Sequence, residues 1–108
     1  MENEFEKYVV KRDGKKDLSF YGEELNWVSS NTGNSSRWTE YTLYQTKKGK
    51  YVIQEAHYTL WQDEFDTYDG YVGNSLKEVF SKAFNLSEPS DLVKELAKGF
   101  LDLTEYIE

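Results

Sequence analysis

Cysteine is absent from the chain, which excludes a disulfide scaffold, a thiolate metal site and a thiol nucleophile. Histidine and proline occur once each. A lone histidine leaves little for acid–base chemistry, and so little proline argues against a disordered tail. No apolar run approaches the roughly 18 residues that a bilayer span requires. The start, Met1-Glu2-Asn3-Glu4-Phe5-Glu6, has neither the basic nor the apolar region of a secretory leader, so a cytoplasmic chain is expected. Basic side chains are the minority, 13 against 20 acidic, for a formal net charge of −7. That balance fits duplex phosphates poorly; it suits a basic protein partner, a cation, or plain solubility.

Aromatic side chains are plentiful: nine Tyr, six Phe and three Trp in 108 residues. That supply of buriable area is enough for one hydrophobic core, and the length is too short for two, so residues 1–108 read as a single domain. Charge divides unevenly along the chain. Residues 1–50 hold nine basic and eight acidic side chains, a net +1, whereas residues 51–108 hold four and twelve, a net −8.

The first half reads as strands. Phe5–Lys11 and Asp17–Tyr21 flank Arg12-Asp13-Gly14-Lys15, where Asp-Gly is a strong hairpin signal. Gly22 marks a bulge or bend, and Ser29–Ser36 is a polar loop. Trp38–Thr46 and Tyr51–Trp61 form a second hairpin about Lys47-Lys48-Gly49-Lys50. On the return strand Ile53, Glu55 and His57 share one face and Val52, Gln54 and Ala56 the other; neither face is purely apolar, which leaves the core side open. Gln62–Gly70 reads as an acidic connection, with Tyr71-Val72-Gly73 a short extended piece. Ser75-Leu76-Lys77-Glu78 has the capping-box pattern, and Leu76, Val79, Phe80, Ala83 and Phe84 make one helical stripe. A second helix follows Pro89-Ser90, with Gly99 as its left-handed cap. The expected fold is α+β: a four-stranded antiparallel sheet of two hairpins, with two C-terminal helices packed on one face.

Chemical signals are sparse. No nucleophile elbow, phosphate-binding loop or dinucleotide glycine pattern occurs, and no cofactor or metal site is expected. His57 with Glu55, two residues away on one strand face, is the only acid/base pair on offer, in a pocket between sheet and helices. Asp63, Glu64, Asp66 and Asp69 fail the EF-hand spacing ahead of Gly70 and read as a solvated acidic surface. With Tyr68 and Tyr71 they form the candidate partner-binding set, because tyrosine supplies contact area with few rotors. Lys11, Arg12, Lys15, Lys16, Lys47, Lys48 and Lys50 sit in the two hairpin turns. A meander would gather them at one end as an anion or nucleic-acid contact, although turn lysines also serve solubility and edge protection.

The segments Gly14–Gly22 and Tyr44-Gln45-Thr46-Lys47-Lys48-Gly49-Lys50-Tyr51-Val52-Ile53 resemble the bacterial EXLDI family, mainly over residues 14–58. The family's Glu-x-Leu-Asp-Ile ending is echoed by Phe100-Leu101-Asp102-Leu103, without its Glu or its Ile. The resemblance implies a bacterial or mobile-element origin and an accessory, regulatory role, and it carries over no catalytic residue. The leading expectation is therefore a non-enzymatic protein that binds another protein of basic surface, as a regulator or inhibitor. One concrete form is a nucleic-acid mimic directed at a DNA-handling or defence protein. The alternatives are a small-ligand pocket or enzyme using His57 and Glu55, and direct nucleic-acid contact by the hairpin turns.

Overall fold

In a computed structural model, which describes residues 5–107, five strands precede two short helices. The acidic start Met1-Glu2-Asn3-Glu4 lies outside the described residues. The strands are β1 (Glu6–Val10), β2 (Leu18–Ser29), β3 (Arg37–Thr46), β4 (Tyr51–Thr59) and β5 (Thr67–Gly73). All neighbours pair antiparallel in chain order, and the sheet curls into a half-barrel. The helices are α1 (Leu76–Ala83) and α2 (Asp91–Ala97).

The expected count of four strands is thus corrected to five. Thr67–Gly73, which reads as acidic connection and short extended piece, is a full strand paired with β4 from Tyr51↔Gly73 to His57↔Thr67. Its glycines imitate turn chemistry but serve close approach. A Cβ on Gly70 would stand 2.7 Å from Val10 Cγ1, and one on Gly73 would stand 2.6 Å from the Val79 backbone nitrogen. The open edge of β5 is covered by the β1–β2 turn. Asp13 donates its N–H to the Tyr68 carbonyl at 2.9 Å, and Tyr68 N–H donates to the Asp13 carboxylate at 2.8 Å. Covering an edge in this way removes a template for pairing with another chain.

Both faces of β4 are buried, each for its own reason. Ile53 lies with Leu43 and Val28 beneath the helices, against Val79, Phe80, Val93 and Leu96. Val52 faces the inside of the curl with Val10 and Tyr44, and Tyr8, Leu18, Phe20 and Val72 close around them. α1 packs on β4 and β5, and α2 on β2 and β3. Helices of eight and seven residues are too short to persist alone, so burial on the sheet sustains them. Ser75 accepts from Glu78 N–H at 3.0 Å to start α1, while Glu78 reaches past the cap to Asn74 N–H at 2.7 Å.

Gly22 of β2 leaves no room for a side chain beside β3: a Cβ there would stand 2.2 Å from the Gln45 carbonyl oxygen. Backbone cannot yield as a side chain can, so Gly22→Ala forces the strands apart. Urea unfolding should show a loss of about 2 kcal/mol or more for Gly22→Ala, and about 3–5 kcal/mol for Phe80→Ala, whose ring is fully buried.

Candidate functional site

The β4–β5 connection, residues 60–66, gathers most of the unusual surface chemistry. Arg37, at the start of β3, makes a two-pronged ion pair with Glu64: Nε donates to Oε1 at 2.9 Å, and Nη2 donates to Oε2. Thr59 Oγ1 donates to Glu64 at 2.6 Å, and Thr59 N–H donates to Asp66 at 3.0 Å. The Arg37 guanidinium lies 5.5 Å from the centre of the Trp61 ring, within cation–π range. Leu60 N–H reaches across to the Ser36 carbonyl at 2.9 Å, tying this loop to the β2–β3 loop.

The loop exposes apolar side chains beside its acidic ones. Its carboxylates Glu64 and Asp66 stay exposed but are tied to the fold as struts, and Leu60, Trp61 and Phe65 are 71%, 55% and 88% exposed. Sequence reasoning missed these three apolar side chains. Leu60 and Trp61 read as the end of the return strand, which stops at Thr59, and only Phe65, between Glu64 and Asp66, stands outside any strand alternation. Of the proposed partner-binding carboxylates, Asp63, Glu64 and Asp66 are all exposed. Asp69 accepts a hydrogen bond from the Tyr71 hydroxyl at 3.2 Å and lies 3.8 Å from Lys15 Nζ, so it faces its own fold. Tyr68 lies on the inner face of β5 and Tyr71 on the helix side, both half-buried.

His57 and Glu55 meet as neighbours along β4. Glu55 Oε2 is 2.6 Å from His57 Nε2, and Thr39 Oγ1 is 2.8 Å from His57 Nδ1. Glu55 Oε1 also lies 3.3 Å from the Tyr71 hydroxyl, whose single proton is shared with Asp69. Burial, and then the charges of Glu55 and Asp69, push the Tyr71 phenol well above its ordinary value. Both imidazole nitrogens are therefore occupied by protein partners. The hollow beside His57, about 340 Å³, is lined by Ser30, Thr39, Thr59, Glu64 and Phe65 among others, and no helix residue borders it. The sheet–helix interface is filled by buried apolar side chains. No group of three or more His, Cys, Asp or Glu among the described residues gathers as a metal would need.

The two basic turns meet different surroundings. The curl carries the first onto β5: Lys11 Nζ lies 5.3 Å from the centre of the Tyr68 ring, Lys15 approaches Asp69, and Arg12 Nε donates to the Lys16 carbonyl at 2.8 Å. Lys47, Lys48 and Lys50 stay exposed beside the start of β2, and Lys47 N–H donates to the Tyr21 carbonyl at 2.7 Å. On the inner face, Glu40 accepts from both indoles, Trp27 Nε1 at 3.2 Å and Trp38 Nε1 at 3.0 Å. No helix among the described residues is long and apolar enough to cross a membrane. No family model, curated protein or solved structure matches the chain.

The Arg37 ion pair and the Thr59 hydroxyl hold the Glu64 carboxyl at about 2, far below its ordinary 4.5. A depressed carboxyl contributes stability that is complete above its unfolded value and lost as pH falls through the folded one. The difference in melting temperature between the native chain and Glu64→Gln should therefore be constant above about pH 5 and shrink towards zero near pH 2. Melting curves followed by circular dichroism across that window check it.

Proposed function

We propose that this chain is a non-enzymatic interaction protein, a regulator or inhibitor, that grips a protein partner with its β4–β5 loop. One observation carries the reading: three large apolar side chains, Leu60, Trp61 and Phe65, stand exposed on a loop whose Glu64 and Asp66 are tied to the body of the fold by hydrogen bonds. Trp61 rests against the Arg37 guanidinium before contact, which lowers its ordering cost, and aromatic anchors carry much of the energy in protein interfaces.

The net charge of −7 steers a partner of basic surface towards the molecule, and Asp63 beside Trp61 gives the rim of the contact the same sign. Phosphate mimicry through this loop has less support, because Glu64, Asp66 and Asp69 are engaged within the fold. Acid–base catalysis by His57 has less support still: His57 and Thr39 line a hollow that no helix residue borders, and no pocket between sheet and helices surrounds them. Direct nucleic-acid contact by the first turn would first require Lys11 and Lys15 to leave β5. A cytoplasmic setting and a bacterial or mobile-element origin, as the EXLDI resemblance implies, belong to the same proposal.

Capture from a bacterial lysate on the immobilised chain, beside the double variant Trp61→Ser/Phe65→Ser, provides the test. A protein held by the native chain should be lost with the variant, and its retention should weaken at high salt. For the purified pair, loss of two anchors should raise Kd by about thirtyfold or more. Equal retention by both chains would remove the loop from the interface.

A further inference from the structure

At the opposite end of the sheet, the start of β2 and the β3–β4 turn enclose a slot of about 390 Å³. Leu18, Phe20, Val52 and Val72 of the inner cluster line it. Lys47, Lys48 and Lys50 also border it, and no acidic residue does. Its walls are fixed before any ligand arrives. Phe20 packs edge-on against Tyr44 at 5.3 Å between ring centres, with Tyr8 5.8 Å from Phe20 on the neighbouring strand. Lys47 N–H is bonded to the Tyr21 carbonyl, and Thr46 N–H to the Lys50 carbonyl at 2.7 Å, so the turn keeps its distance from β2.

Charge around the slot is not balanced internally. Among the described residues, none of the three rim lysines has a carboxylate within ion-pair distance. The nearby Glu78 is paired with Lys82 at 3.4 Å, and Lys82 Nζ also donates to the Val72 carbonyl at 2.9 Å. An apolar floor with a cationic rim matches a molecule that has an apolar body and one anionic head.

We infer that this slot binds a small amphipathic anion, of the chemical class of a medium-chain fatty acid. The acyl chain lies along Leu18, Phe20, Val52 and Val72, and the carboxylate meets Lys47, Lys48 and Lys50. Burial of the chain supplies most of the affinity, since each methylene removed from water contributes about 0.8 kcal/mol. The lysines orient the head and reject cationic amphiphiles. A pocket of this size falls within the usual range for small-molecule sites, about 300–1,000 Å³.

Anilinonaphthalene sulfonate, itself an apolar anion, is the probe. Titrated into the full chain, it should brighten saturably at one probe per molecule. Decanoate should displace it, whereas decyltrimethylammonium and inorganic phosphate should not. Lys47→Glu/Lys50→Glu changes exposed turn side chains, should leave the melting temperature within a few degrees, and should weaken probe and decanoate binding about tenfold or more. The Trp61→Ser/Phe65→Ser chain should bind the probe as the native chain does, so the outcome is independent of the partner-binding loop. Four results would overturn the inference: no saturable brightening, displacement by phosphate alone, equal displacement by the cationic amphiphile, or probe binding that is lost with the loop variant and kept with the lysine variant.

Discussion

The curled sheet brings two backbones together at a place where a side chain is missing, two residues before the register shift between Glu24 and Asn26. At Gly22 the β2 backbone passes so close to β3 that a Cβ would stand 2.2 Å from the Gln45 carbonyl. Beyond that point β2 and β1 swing across the inner face, and Val10 comes to rest against Gly70 of β5. Two consequences follow. The inner face gains a core of its own, with Tyr44, Val52 and Val10 buried without help from any helix. The β1–β2 turn also lands on β5 at Tyr68 and satisfies an edge that would otherwise face water. A flat sheet of the same sequence would expose both.

This arrangement explains what could be read from the sequence. Local rules worked wherever the deciding contact is local. Asp13-Gly14 and Lys48-Gly49 turn their hairpins, with Gly14 and Gly49 at positive φ. Ser75 and Ser90 begin their helices, and Gly99 takes the left-handed conformation that closes α2. Gly70 misled because a glycine that permits a turn and one that permits close approach look alike in sequence, and what approaches it is Val10, sixty residues earlier. The undecided faces of β4 have the same origin. Alternation is legible when one face meets water, and here both Val52 and Ile53 are covered.

The site shows the same limit. Glu55 and His57 were legible as a pair because period-two alternation alone puts them on one face. Their partners were not, since Thr39 and Tyr71 arrive from the two neighbouring strands through register. In the β4–β5 loop, composition pointed to the acidic residues, and long-range pairing reassigned them. Arg37 lies twenty-seven residues from Glu64 in the chain, so nothing local foretells that this carboxylate is a strut. With Glu64 and Asp66 both tied to the fold, Phe65 between them is left 88% exposed.

An antiparallel meander presents its connections at two ends, and the two candidate surfaces lie on opposite ones. The braced loop follows the last residue of β4 and the lysine-rimmed slot precedes its first. At about 3.3 Å per residue, the nine residues of β4 separate them by about 26 Å. That is more than twice the screening length of about 10 Å at 0.1 M salt, so charge at one end scarcely alters the potential at the other. Occupancy of the slot therefore cannot influence the loop through its charge. Any coupling would have to pass mechanically along β4, and that strand is packed on both faces between Val52 and Ala56 and hydrogen-bonded along both edges. A strand held in that way offers no second arrangement to transmit, so the proposed loop and the proposed slot are independent of one another.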